Sequence, residues 1–419
     1  VQGAGRHTAN GAWLAAGDAA TLRVRRRRRI QDERGRLVSK NIIFCADGTW
    51  NGLGQGDGQE VQADATNVLR LFAALDGDVT ADSLRKQDEQ EKVAAGPDAK
   101  VTQIAKYLHG VGDSQNVIRK ILGGVFGEGF IERIVRGYTF ISRNYAPDDR
   151  IYLVGFSRGA YTVRALAGMI AKMGLLPQDA MRGDDGAYDP EKAYRLGIFV
   201  WARYRRLMGK QSTLLGYLEE FKSETIDLNR LMQNVGIEAV AVWDTVGALG
   251  VPTYDLADAS KVDIFEFADR ALSVKVKSGF HALAIDEQRS DFEPTLWDDR
   301  DGIQQRWFAG AHADVGGGYP TWDLATLSFD WMVARLQGSG VAMSPQYKAT
   351  DPFTFGPIHT PYRDPPFDVR PHAPRVLPAN ALFHPSVQAY LAQFAAYQPP
   401  SNLAPLLNGR QLDPRFVKA

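Results

Sequence analysis

A single cysteine, Cys45, in 419 residues rules out an internal disulfide. Its apolar flanks (Asn41-Ile-Ile-Phe-Cys-Ala46) predict an inert thiol buried in a core strand. Net charge is missing as well: 49 basic and 49 acidic side chains cancel. Without an excess of positive charge there is no global pull toward nucleic acid or an anionic membrane, and no nucleic-acid partner is expected. No run of about 18 apolar residues exists, so no transmembrane helix is expected. The N-terminal residues carry no apolar h-region, which predicts cytoplasmic synthesis without a secretory signal. The histidines show neither His-Glu-x-x-His nor other paired-ligand spacing, so no metal is predicted. The glycines from Gly123 to Gly129 are not followed by Gly-Lys-Ser/Thr, which argues against a nucleotide loop. No cofactor is expected.

What is present is an ordinary globular composition, 44% hydrophobic and 23% charged, enough for one large α/β domain with insertions or for two domains. The most informative stretch is Ile151 to Ala160. Four apolar residues run into Gly155-Phe156-Ser157-Arg158-Gly159, and a helical pattern follows at once. Strand, Gly-x-Ser-x-Gly turn and helix together are the signature of a nucleophile elbow and predict an α/β-hydrolase fold, a mostly parallel sheet flanked by helices. The turn is so tight that only hydrogen fits two residues before and two after the serine. A serine hydroxyl raised at a helix N-terminus sits where amide groups favour a developing negative charge.

A serine needs a base to take its proton as it attacks. Among seven histidines, His312 is the best placed, following an apolar strand within a glycine-flanked loop, Gly310 to Gly318. The base needs a carboxylate to hold its tautomer. Chain order leaves two candidates. Asp286 ends the strand just before the histidine strand, the usual position, and Asp244 ends the strand directly after the elbow unit. Two backbone amides are expected to stabilise the oxyanion: that of Arg158, and that of Gly48 or Thr49 in the small-residue turn after the Asn41–Ala46 strand. His109, at the end of another predicted strand, is a weaker candidate for a substrate contact.

Residues 1–40 form a peripheral N-terminal segment with a basic run, Arg25–Arg29, that reads as a solvated tail or a phosphate-binding patch. The catalytic domain is expected over 41–340, with the stretch 77–100 as a surface excursion and a helical insertion at 177–234. In that insertion Tyr194, Phe199, Trp201, Tyr204 and Leu207 lie among Arg195, Arg203, Arg205 and Arg206. The cluster suits either an acyl-and-phosphate-binding lid or plain helix packing. A second insertion is expected at 251–277. Fourteen of the 21 prolines fall between Pro345 and Pro414, so the segment 341–419 is expected to wrap the core without a sheet of its own.

Four ordered motifs, Asp47-Gly-Thr-Trp-Asn51, Gly155-Phe-Ser-Arg-Gly-Ala-Tyr161, Val242-Trp-Asp-Thr-Val-Gly247 and Ala311-His-Ala-Asp-Val-Gly-Gly-Gly-Tyr319, resemble a known catalytic domain. It is that of the first class of type VI secretion lipase effectors, and the likeness runs from about Asn41 to Trp331. The resemblance implies Ser157 as nucleophile, Asp244 as acid and His312 as base, and so favours Asp244 over Asp286. It implies a serine esterase of the phospholipase A type, with a lipid substrate, transient contact with a membrane surface, and export by a type VI secretion system without a cleaved signal. The alternatives are an esterase of small soluble esters and a non-catalytic, hydrolase-like binding protein.

Overall fold

The computed structural model describes residues 39–48, 65–83, 89–109, 126–209, 224–246, 270–349, 355–365, 367–400 and 403–419. Its centre is an eight-stranded sheet in the order β2-β3-β4-β1-β5-β6-β7-β8. The strands are β1 (Asn41–Ala46), β2 (Asp78–Val79), β3 (Glu89–Ala95), β4 (Val101–Leu108), β5 (Arg150–Phe156), β6 (Ile237–Trp243), β7 (Val276–Ala284) and β8 (Ile303–Phe308). From β4 through β8 every pairing is parallel, and β2 and β3 add an antiparallel edge. The α/β-hydrolase expectation is met in this mostly parallel sheet with helices on both faces.

The central strands read as continuous apolar runs because both of their faces are covered. Alternation along β1 divides its side chains between two cores. Ile42, Phe44 and Ala46 meet the helices α2 (Phe126–Asn144), α3 (Arg158–Met173) and α4 (Pro190–Leu207). Ile43 and Cys45 meet α1 (Asn67–Ala74) and, among other elements, the later helix over Asp323–Gly338. Cys45 is fully buried, and burial pushes its thiol pKa up, so it is an inert core residue as expected. Helix α1 starts where Thr66 Oγ1 accepts the amide of Leu69 at 3.2 Å, a capping bond that fixes the first turn.

Three sequence expectations change. The stretch 77–100 is not a surface excursion: β3 pairs with β4 along its length. Its sequence is polar because its charges are paired, Glu89 with Lys106 (2.7 Å) and Glu91 with Lys106 (3.2 Å) and Arg143. In the helical insertion, Phe199, Trp201 and Tyr204 are buried in the core beneath the sheet, so packing is their role; Leu207 alone of the five is exposed. Finally, the proline-rich segment does carry a small ladder, β9 (Leu407–Asn408) against β10 (Gln411–Leu412). Proline blocks ladder donors only where it stands, and these four positions have none. The Arg25–Arg29 run lies outside the described residues.

The same segment closes the edge of β8. Trp307 N–H donates to Leu382 O (2.9 Å) and His384 N–H to Trp307 O (3.0 Å). Trp307 and Leu283 then pack with Phe383, Val387, Leu391, Leu403 and Leu412. Phe383 is fully buried there. Phe383→Ala is expected to lower stability by about 3–5 kcal/mol, read as a fall in the urea midpoint.

Candidate active site

Four strand ends carry the site, all at the carboxyl edge of the parallel sheet, where α/β proteins place ligands. β5 ends in Ser157, whose backbone is held at φ 56°, ψ −124°, a conformation disfavoured for a side chain with a Cβ. Both glycines of the elbow are required by contact. A Cβ on Gly159 would lie 2.0 Å from Ala46 O, and one on Gly155 would lie 2.5 Å from Gly159 O. The serine amide donates to Trp243 O (3.1 Å), which ties the elbow to the end of β6. The very next residue on β6 is Asp244.

Asp244 also has positive φ, 36°, and is entirely buried. Its N–H donates to Ala282 O (2.7 Å), and its Oδ1 accepts from Ala284 N (3.0 Å). Its Oδ2 lies 2.6 Å from His312 Nδ1. Arg375 completes the carboxylate's surroundings, with Nη1 on Oδ1 at 2.7 Å and Nη2 on Oδ2 at 2.8 Å. Burial alone would raise the pKa of this acid. The guanidinium and the imidazole outweigh it and hold the carboxyl well below the usual carboxylate range.

His312 begins the short helix α5 (His312–Gly316) after β8. Its ring lies 4.5 Å from that of Phe156, the residue before the nucleophile, and edge-on to Phe292 at 5.0 Å. Its amide donates to Glu287 Oε2 (3.2 Å), and Glu287 is in turn bound by Arg289. Burial pushes the imidazole pKa down; the bond to Asp244 opposes this without reversing it. The ring is therefore neutral near pH 7, the state a general base requires.

Asp286 occupies a different place. It accepts from Gly310 N and Tyr397 Oη, both at 2.7 Å, and so anchors the start of the histidine loop to the C-terminal segment. Asp314 shapes that loop too, accepting from Ala311 N (2.9 Å) and from His359 N (3.0 Å). Gly48 lies against the nucleophile, since a Cβ there would be 3.3 Å from Ser157 Cβ. Its N–H is turned onto Asp47 Oδ1 at 2.7 Å, while Asp47 Oδ2 accepts from Thr66 and Tyr107, each at 2.6 Å. Thr49 lies outside the described residues. Among the described residues, no group of three or more His, Cys, Asp or Glu side chains could hold a metal ion, and no helix is long and apolar enough to cross a membrane.

Sequence reasoning misses three supports. Arg375 stands 131 residues from Asp244 in a proline-rich segment, where no spacing marks it. Glu287 follows a residue weighed for another role. His281 lies inside β7, where its Nε2 accepts from Thr245 N (3.1 Å) and burial drives its pKa down to about 3, so it braces the acid turn as a neutral acceptor.

A strained serine elbow at the end of a parallel strand, beside a buried aspartate–histidine pair, defines a protein of the α/β-hydrolase type. Residues 40–335 match the family described as the catalytic domain of Tle1-like phospholipase effectors of the type VI secretion system, and the chain belongs to that family. An uncharacterized protein of Saccharomyces cerevisiae, YEL023C, is 33% identical over 255 residues, 61% of this chain and 32% of its own length. Among solved structures, an uncharacterized protein from Pseudomonas aeruginosa is similar at 16% identity with a TM-score of 0.39, over 75% of this chain and 48% of that one. The Tle1 effector bound to the VgrG spike is similar at 18% identity with a TM-score of 0.36, over 67% and 51%. The chain thus spans about a third of the yeast relative and about half of each solved one.

Asp286 yields a prediction about stability. Burial, with the nearby Asp314 charge adding to it, raises its pKa to about 6. A carboxyl with a raised folded-state pKa favours the folded state below its unfolded value near 4, and that contribution is lost as pH rises through 6. Asp286→Asn should therefore be more stable than the natural protein at pH 8, by on the order of 2–3 kcal/mol, and lose the advantage by pH 4. Urea midpoints of the two proteins at pH 4, 6 and 8 check this.

Proposed function

We propose that the protein is a serine esterase that cleaves acyl esters of phospholipids. Ser157 is the nucleophile, His312 the general base and then acid, and Asp244 the carboxylate that orients His312. The observation that carries this reading is the 2.6 Å bond between His312 Nδ1 and Asp244 Oδ2. It leaves Nε2 as the basic nitrogen on a histidine whose ring packs beside the elbow. Family membership supports the phospholipid as substrate.

Ser157 Oγ attacks the ester carbonyl while its proton passes to His312 Nε2. The imidazolium so formed is stabilised by the ionised Asp244. The carbonyl oxygen becomes an oxyanion facing the amide of Arg158, at the N-terminus of α3, and an amide from the loop after β1. That second donor is the amide of Gly48 or Thr49; the Gly48 amide donates to Asp47 Oδ1 at 2.7 Å and must leave it to serve. Losing one such donor typically costs about 10²–10³ in rate. His312 returns its proton to the leaving alkoxide, and the lysophospholipid departs. Water, activated by the same imidazole, then attacks the acyl-enzyme, giving a fatty acid and restoring Ser157.

In this reading the catalytic domain is 41–340, completed by the 341–419 segment. The protein is made in the cytoplasm and exported by a type VI secretion system to act at a membrane surface. Family membership is the support for that route.

A fluorophosphonate should label Ser157, with labelling lost in Ser157→Ala and His312→Ala. Asp244→Asn should lower turnover about 10⁴-fold, as in other triads, whereas Asp286→Asn should remain active. An inactive Asp286→Asn beside an active Asp244→Asn would reverse the choice of acid. Mass spectrometry of mixed phospholipids after incubation should show lysophospholipids and free fatty acid in equal amounts. Turnover of short soluble esters with no lipid cleavage would point to the small-ester alternative, and no labelling at all to a non-catalytic protein. The acid limb of kcat/KM should fall below the ordinary histidine value, because His312 is held neutral by burial.

A further inference from the structure

The candidate acid is held by a residue outside the family match. Arg375 belongs to the C-terminal segment, 40 residues past the end of the matched region at 335. Its guanidinium is buried and makes four hydrogen bonds to described residues. Two go to the two oxygens of Asp244, one to Ala284 O (2.7 Å), and one to Phe292 O (2.5 Å). The carbonyls come from the end of β7 and from the loop that places Phe292 against His312. A planar fork clamped on a carboxylate fixes the plane of both oxygens, which a point-like ammonium cannot do.

That plane matters because Asp244 Oδ2 is shared, with His312 Nδ1 at 2.6 Å and Arg375 Nη2 at 2.8 Å. The direction in which Oδ2 receives the imidazole N–H is thus set from the far side by the arginine. The arginine also competes for the carboxylate's charge, the term that would otherwise draw a proton onto His312. Among the described residues, the other charged groups acting on His312 are Glu287 and Arg289 of the loop after β7, which are paired with each other at 2.8 Å. Phe156 and Phe292 supply apolar walls.

Resting on the hydrolase reading, we propose that Arg375 is a positioning residue of the active site. Acting through Asp244, it fixes the orientation of His312 and shares the acid's charge, so that the C-terminal segment is part of the catalytic apparatus. An arginine serving only to neutralise the buried acid could be replaced by lysine, which keeps the charge, with no loss of labelling rate; a positioning arginine could not, because lysine lacks the fork.

The test uses the full chain with Arg375→Met and Arg375→Lys. Two readouts are followed: the titration of His312 by ¹⁵N-histidine NMR, assigned with His312→Gln, and the pH dependence of Ser157 labelling by a fluorophosphonate. In Arg375→Met, the His312 midpoint and the acid limb of labelling should both move up by about one pH unit, since Asp244 then acts on the imidazole alone. The limiting labelling rate should fall roughly 10–100-fold from misorientation. Arg375→Lys keeps the charge but loses the fork, so it should leave the midpoint near that of the natural protein and still lower the rate. A folded Arg375→Met with an unmoved midpoint and acid limb overturns the proposal. If that variant does not fold, Arg375→Lys decides: labelling at the natural rate overturns the proposal, and slow labelling with an unmoved midpoint supports it. Failure of the hydrolase reading is seen separately, as absence of labelling in the unsubstituted protein. The NMR titration would still report whether Arg375 controls His312.

Discussion

An ionised carboxylate removed from water at the end of a central strand is the constraint to which the rest of the structure answers. Burying such a charge without partners is costly enough to unfold a domain or to force the group neutral. Around Asp244 the answer comes from four directions: a main-chain amide of β7, the guanidinium of Arg375, the imidazole of His312, and the backbone of its own turn fixed against β7. Satisfying the charge therefore brings together the sheet, the histidine loop and the C-terminal segment.

Backbone strain collects at the same place. Ser157 and Asp244 are non-glycine residues with positive φ, at the ends of neighbouring strands and joined by the Ser157–Trp243 amide bond. Such conformations persist where the surroundings over-determine them. Here Gly159 presses directly on the end of β1 and Gly155 on Gly159, and the acid turn is braced by His281. Strands joined by a main-chain bond thus hold two strained turns side by side.

Much of this was legible in the chain. The elbow announced itself because glycine, serine and glycine at fixed spacing after an apolar strand leave few other structures. His312 was marked by its glycine-flanked loop. Strand order favours Asp286 as acid, whereas the family resemblance favours Asp244. In the fold, the Asp244 carboxylate meets His312 and the Asp286 carboxylate meets Tyr397. β3 escaped notice because its charges are satisfied by Lys106 and Arg143 and so read as surface. Arg375 left no local signal, because a contact across 131 residues is a property of the fold and not of any window of sequence.

The seam along β8 has a consequence for how such proteins are assembled from parts. Phe383 N–H donates to Phe416 O, and Lys418 N–H to Phe383 O, so the closing strap is itself locked by residues near 416–418. Similarity to the family ends at 335, yet the unit that hides the sheet edge and neutralises Asp244 extends some eighty residues further. An uncovered edge invites pairing with other chains. The limit of the family match and the limit of the packing around Asp244 are therefore different points. A chimera that keeps this lock thus keeps Lys418.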